Sequence, residues 1–431
     1  MSGWLIALNW LTFAWLLGWA VRAMLDISSN CHRSISFPLL VFVVVYGLPI
    51  AFDLTRGVPD YHNTPGFRAG ATDESVAVVY DLFVAACPVF WWMTARSRRR
   101  TGHHMVVLAG KKAQRALWLL LCSPLIALAF APQPHVYLSY AAVLTENMSP
   151  AASEFHGIIG GLTTFSLVAG ACLLLVRRNF SRALFLICPF MTVAVWLQGK
   201  RTAVALCLAL IWAVAWVRGS LTYSRVIAFG ALSLVALGSY ITWYQLEFRP
   251  LSVADSYSVY ENSRIDYGRD HNLKAAIFCE LSDGNVRILE YRGQSLLFYL
   301  TMYVPRSLWP GKPWPYAIYI TAHALQARPA DRGWGLTTSL LDEAVANFGW
   351  VGLLVGPLIF ALLCRICDHS SDPVVKTVGV LVACLLMTVE FVAFAPLVIG
   401  WLLYVGWSRH VSPDAPKRLR AVRPGPVQAG A

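Results

Sequence analysis

Arg264, Arg306 and Glu343 are the side chains on which this chain's chemistry is expected to rest. They fall in three runs: RIDYGRD (Arg264–Asp270), VPRSLWPGKP (Val304–Pro313) and GLTTSLLDEAVANFG (Gly335–Gly349). Arginine grips phosphate through parallel N–H donors, and lysine adds a compact charge. Cations of this kind stabilise a departing pyrophosphate. A carboxylate beside them can take the proton from an acceptor hydroxyl. Moving a sugar off a lipid pyrophosphate needs both functions. Arg269, Lys312, Arg328 and Arg332 extend the cationic set. Trp309, Trp314, Tyr316 and Trp334 offer faces for sugar rings. Asp342, Asp266, Asp270 and Asp53 are alternative bases, as is His271 beside Asp270. Taken singly, each is more often an ion pair or an interfacial anchor; the cluster is the stronger signal.

Two further cations, Lys200 and Arg201, sit in the turn GKRT (Gly199–Thr202) between two apolar stretches. They fall at an outside membrane edge, against the positive-inside trend. Snorkelling to headgroups is the plain account; docking of a lipid-linked pyrophosphate is the sharper one.

The elements that must position these residues are helices in a membrane. Of 431 residues, 57% are apolar and 13% charged, against roughly 25% charged in soluble proteins. Apolar stretches predict about eleven spans. They lie at Trp4–Val21, Phe37–Phe52, Val76–Met93, Ala116–Ala131, Ile158–Val176, Ala183–Leu197, Thr202–Val217, Val226–Trp243, Ala346–Arg365, Val374–Val389 and Phe391–Trp407. Alternate connections are basic: Arg96–Arg115, Arg177–Arg182, Arg218–Arg225 and the tail from Ser408. The positive-inside rule then puts the N-terminus outside and the C-terminus in the cytoplasm of a bacterial plasma membrane. The chain divides into spans over 1–243, one large external (periplasmic) loop over 244–345, spans over 346–407 and a disordered tail over 408–431. The net charge of +12 is a topology signal, and nucleic-acid binding is not expected. A first span without a basic leader or small-residue cleavage site is not expected to be removed.

The loop over 244–345 holds ten basic and eleven acidic residues, too balanced for a simple anion trap. Tyr244–Val259 is expected to be extended or loop. Ser263–Leu281 is expected to contain a short amphipathic helix with Leu273, Ile277 and Leu281 on one face. Asp283–Asn285 reads as a turn. Ser295–Tyr303 is apolar enough to dip into the membrane edge. Pro305, Pro310, Pro313 and Pro315 disfavour helix. A helix running into the next span begins near Thr338, with Asp342 and Glu343 at its positive end.

GKRT, RIDYGRD, VPRSLWPGKP and GLTTSLLDEAVANFGWVG resemble bacterial O-antigen polymerases, the Wzy-type oligosaccharide repeat-unit polymerases. The likeness covers Gln198 to Gly356. It implies an all-α, polytopic integral membrane glycosyltransferase of the lipid-dependent, GT-C-like kind. Its substrates would be an undecaprenyl-pyrophosphate-linked glycan donor and acceptor; its partners, membrane lipids, a chain-length regulator and a flippase. The resemblance implies no cofactor and no metal. Carried onto this sequence, Lys200, Arg201, Arg264, Arg306 and Lys312 bind pyrophosphate or glycan, Glu343 is the base or an orienting partner, and Asn347 and Gly349 serve packing.

Two other classes stay open. An O-antigen ligase needs the same cations and one large loop; the PR-x-x-WP-x-KP run leans toward the polymerase. A transporter or flippase usually carries charges inside its spans, and here those are few beyond Asp81 and Glu390. Cys364 and Cys367 form a lone CxxC that reads as packing. Cys279 is the one clearly external cysteine, so no external disulfide is expected. His103 and His104 read as solvated, and His156, His271 and His323 lack metal spacing.

Overall fold

A computed structural model describes residues 2–29, 33–95, 110–140, 149–177, 179–248, 256–282, 287–331 and 334–411. Among these residues the regular structure is all helix. The predicted turn at Asp283–Asn285, most of the basic loop, Arg332, and the tail from residue 412 lie outside the described residues.

Among the described residues, eight stretches are long and apolar enough to cross a membrane. α1 (Gly3–Ser28) is the first. The second joins α2 (Ser36–Phe42) through a π turn at Val43–Gly47 to α3 (Leu48–Arg56). After the short α4 (Gly66–Thr72) comes α5 (Glu74–Thr94). α6 (Lys111–Leu128) precedes α7 (Pro150–Val176), α8 (Phe180–Gln198), α9 (Arg201–Val217) and α10 (Tyr223–Phe248). The segment between the two runs of spans supplies α11 (Ser256–Tyr267), α12 (Asp270–Leu281), α13 (Gln294–Thr301) and α14 (Tyr316–Ala324). α15 (Leu340–Phe348), α16 (Gly352–His369), α17 (Pro373–Thr388) and α18 (Ala395–Val411) complete the described residues. This is the architecture of a polytopic helical membrane protein. Trp4, Leu11, Trp15, Leu232, Leu354 and Leu403 are exposed, as apolar side chains facing lipid would be.

Every one of the predicted spans coincides with a helix. Three of those helices, α6, α9 and α17, fall outside the eight long apolar stretches. α6 opens on Lys111, Lys112 and Arg115. α9 has 17 residues, about 26 Å at 1.5 Å per residue, against a core of about 30 Å. α17 is buried on nearly every side, from Pro373 to Met387, and fills the middle of the bundle.

The π turn has a cause in the sequence. Pro49 has no N–H to offer the Val45 carbonyl four residues back. That carbonyl instead accepts from the Arg269 backbone N–H at 3.0 Å. A local defect in one span thus becomes a docking point for a distant segment.

The described residues of 244–345 are largely helical and pack against the spans. α10 continues to Phe248 and α11 begins at Ser256, where extended chain was expected. α12 packs against α4, α5 and α15. It is not amphipathic: Asp270 through Ile277 are all buried, and Leu281 is exposed. Full burial of Leu273 and Ile277 contributes about 1.5–3 kcal/mol each. Gly70 lets α4 approach, since a Cβ there would stand 2.9 Å from the Lys274 carbonyl oxygen. α13 has Leu296 and Leu300 exposed beside buried Ser295 and Phe298. No regular helix forms from Val304 to Pro315.

Candidate active site

The site is built on three layers of polar contacts. The deepest is an ion cluster. Arg264 donates from Nη1 to Asp53 Oδ1 at 2.8 Å and to the Pro49 carbonyl at 2.8 Å, and from Nη2 to Asp270 Oδ2 at 2.6 Å. Lys274 Nζ lies 3.1 Å from Asp53 Oδ2 and 3.4 Å from Asp270 Oδ2. All four side chains are buried. Two carboxylates against two cations leave the set neutral, which is how buried charges are tolerated. Burial alone would raise the Asp270 carboxyl, but Arg264 and Lys274 outweigh it and hold its pKa below the usual range. Burial lowers Lys274 less than Asp53 and Asp270 raise it, so its amine stays charged. Burial pushes neighbouring His271 down to about 3. It is therefore neutral, and neither ring nitrogen has a hydrogen-bond partner, Nδ1 lying 3.9 Å from Asp270 Oδ1, which makes it a poor base.

Arg264 was expected to meet pyrophosphate. Here it is 3% exposed and both terminal nitrogens are committed, so it braces α11 and α12 against α3 instead. Arg269 is diverted in the same way: Nη1 donates to the Gly268 and Asp266 carbonyls, and Nη2 to the Thr388 carbonyl at 2.8 Å. Gly268 is required between them, because a Cβ there would stand 2.7 Å from both the Arg264 carbonyl oxygen and Asp270 Oδ1.

The second layer holds Glu343. Ser339 and Asp342 form a capping box at the start of α15, which satisfies two of its unbonded N–H groups. Tyr46 OH meets Ser339 Oγ at 2.5 Å and so ties the cap to the span containing Val45. One residue further, Glu343 points to α13. Its Oε1 accepts from Ser295 Oγ at 2.6 Å and its Oε2 from Tyr299 OH at 2.9 Å. Ser295 and Tyr299 stand four residues apart, on one helix face. Asn347 Nδ2 donates to Ser295 Oγ at 2.8 Å and to the Glu343 carbonyl at 2.8 Å. Burial and then the Glu343 charge push the Tyr299 phenol far above its ordinary value, so it remains a donor. Asn347, expected to serve packing, orients this carboxylate.

The third layer is the proline-rich loop. Pro305, Pro310, Pro313 and Pro315 supply no backbone N–H, so carbonyls along it need other donors. Arg306 gives Nη1 to the Lys312 carbonyl at 2.7 Å and Nη2 to the Pro313 carbonyl at 2.8 Å. Its guanidinium lies 3.4 Å over the Trp314 ring. Lys312 Nζ donates to the Met302 and Val304 carbonyls, each at 2.9 Å. Desolvation and then the Arg306 charge lower the Lys312 pKa. Lys312 also stands 4.9 Å over the ring of Phe298, which α13 presents between Ser295 and Tyr299. One short helix therefore carries the partners of Glu343 and a wall of the cationic loop.

Other expected members are dispersed. Trp314 is taken up by Arg306, Trp309 is half-buried and Trp334 is exposed. Lys200 is exposed after Gly199, whose φ of 62° ends α8. Arg201 begins α9. Among the described residues, no hydrogen bond or ion pair joins Lys200 to the loop or to Glu343. The residues the sequence reading passed over are Tyr46, Lys274, Ser295 and Tyr299. Four-residue spacings, Asp270 to Lys274 and Ser295 to Tyr299, carried a signal for three of them. Among the described residues, no three His, Cys, Asp or Glu converge as a metal group.

No family model, no curated protein and no solved structure matches this chain.

Proposed function

We propose that the protein is a lipid-pyrophosphate-dependent glycosyltransferase, an oligosaccharide repeat-unit polymerase acting at the outer face of the plasma membrane. The observation that carries the reading is α13 serving two masters. Ser295 and Tyr299 hold Glu343, and Phe298 between them backs Lys312 of the Arg306 loop. Glu343 and Lys312 thus share one short helix as a common support, and Arg306 is joined to it through the Lys312 carbonyl.

In this reading Glu343 takes the proton of an acceptor sugar hydroxyl. The freed oxygen bonds to the anomeric carbon of the donor glycan, and the bond from that carbon to the pyrophosphate oxygen breaks. Undecaprenyl pyrophosphate leaves, its charge met by Arg306 and Lys312. Donor arithmetic permits this. A guanidinium has five N–H donors and an ammonium three; two on each serve the loop carbonyls, which leaves three on half-buried Arg306 and one on buried Lys312. The resemblance of VPRSLWPGKP and GLTTSLLDEAVANFG to the O-antigen polymerases supports the same reading. Arg264 and Arg269 enter as braces.

The test is complementation of a strain deleted for this gene with Glu343→Gln. Long-chain polysaccharide is expected to disappear on a gel while lipid-linked single repeat units accumulate in membrane extracts. Wild-type chain lengths would reject the assignment. A normal polymer that stays on its lipid carrier would favour the ligase.

A further inference from the structure

A second polar feature lies away from Glu343, at the end of the bundle that holds Glu74. Ser2 N–H donates to Glu74 Oε1 at 2.8 Å, so α1 and α5 start side by side. Just below, a small cavity of about 20 Å³ lies between α1, α3, α4, α5 and α12. Asn9, Asp53, Asp73, Tyr80, Asp81 and Lys274 give it its polar lining. Asp81 is 1% exposed and its Oδ2 has no hydrogen-bond partner.

The charges around it can be counted. From α3, Asp53 is spent on Arg264 and Lys274; from α12, Lys274 is spent on Asp53 and Asp270. That set is neutral. Asp73 caps α5 through Oδ1, which accepts from the Ser75 and Val76 N–H groups. Tyr80 gives its hydroxyl proton to the Tyr46 carbonyl at 2.7 Å. α1 contributes no charge to the lining, only Asn9. Asp81 therefore stands two turns inside an apolar helix with Oδ2 unbonded, and the cation that acts on it, Lys274, is already shared by Asp53 and Asp270; intramembrane carboxylates are costly without a full partner. The lining is rich in oxygen acceptors, and a space of this size takes a particle the size of water. Of the three carboxylates in the lining, Asp53 and Asp73 are already bonded, and among the described residues no three His, Cys, Asp or Glu converge as a metal group; one open carboxylate suits a single positive charge better than a divalent ion.

The structure assigns to this cavity a site for a monovalent cation of sodium size, held by the Asp81 carboxylate with the Asn9 amide oxygen and water. It sits against Lys274, so occupancy adjusts the field on the neutral cluster that braces α12. It is independent of the glycosyltransferase reading.

The probe is sodium chloride. The purified full chain in nanodiscs is unfolded thermally in sodium, potassium and choline chloride at equal ionic strength, between pH 6 and pH 8. Sodium is expected to raise Tm by about 3 °C or more over choline, as binding to the folded state does. Asp81→Asn is expected to abolish that difference, and Asn9→Ala to shift its half-saturation to at least fivefold higher sodium. Equal Tm in all three salts overturns the assignment. So does a Tm that responds to pH alone and loses that response in Asp81→Asn, because the charge is then met by a proton. Should Asp81→Asn fail to fold, the wild-type salt series and Asn9→Ala decide the question.

Discussion

Ser295 Oγ donates to Glu343 Oε1 at 2.6 Å across 48 residues of sequence, and Asn347 donates to the same Ser295 oxygen. The carboxylate is held by a side chain that is itself held. That arrangement fixes the direction of its lone pairs, which a proton acceptor needs.

Glu343→Gln keeps the shape and removes the acceptor. Polymer formation should fall by about 10²–10⁴-fold with folded protein retained. Ser295→Ala and Tyr299→Phe each delete one donor and should cost roughly tenfold, near the 1.5 kcal/mol of a bond to a charged group. Polymer yield per folded protein in membranes checks all three; a harmless Glu343→Gln removes this carboxylate from the chemistry.

Arg264→Ala should unfold the protein more than it disables it. Removing one partner of a buried charge set costs about 3–5 kcal/mol, and here Asp53 and Asp270 would both lose their strongest neighbour. The measurement is the unfolding midpoint in detergent. Adding Asp53→Ala should cost less than its effect alone, because paired residues are not additive. An Arg264→Ala protein with an unchanged midpoint and no polymer would return Arg264 to substrate binding.

Arg306→Lys should not rescue Arg306→Ala fully. A lysine can reach one carbonyl, whereas the planar fork bonds the Lys312 and Pro313 carbonyls together. Limited proteolysis between Met302 and Pro315 should rise in both variants, more in alanine, and activity should fall at least tenfold in each. Protection equal to wild type would show that the loop holds without Arg306.

Acidification should destabilise the protein through His271. Its folded pKa, about 3, lies below the ordinary value near 6.5, so the unfolded chain binds more protons in between. Stability is full above about pH 6.5 and falls as pH drops through that window, by up to about 1.4 kcal/mol per pH unit. Asp270, also held low, adds a loss of the same sign at the acid end. His271 packs edge-on against Phe67 at 4.6 Å, so His271→Phe should flatten the slope. Denaturation midpoints from pH 7 to pH 4 read it directly.

Much of the fold was legible because membrane helices are written locally. Length and apolarity decide whether a stretch can span, and each predicted span lies on a helix. Capping is local too: Ser339 and Asp342 announce the start of α15 within four residues. The proline-rich run was rightly kept out of helix, since each proline removes its own donor. What local reading misjudged was burial. RIDYGRD is charged, and charge in a loop suggests solvent. Its arginines are buried because Asp53, more than two hundred residues earlier, supplies the opposite charge, and because Pro49 and the π turn expose carbonyls for Arg264 and Arg269. No window of sequence contains both halves of that pairing.

The sequence by itself determined the helical membrane architecture, the special composition of residues 244–345 and the two runs that hold Arg306 and Glu343. Hydrophobicity, proline chemistry and capping act over a few residues, so they can be read in order along the chain. Only the tertiary structure decided which cations stay available and which are spent. Charge pairing and hydrogen bonding act through space, over a few ångströms, between residues that sequence order keeps far apart.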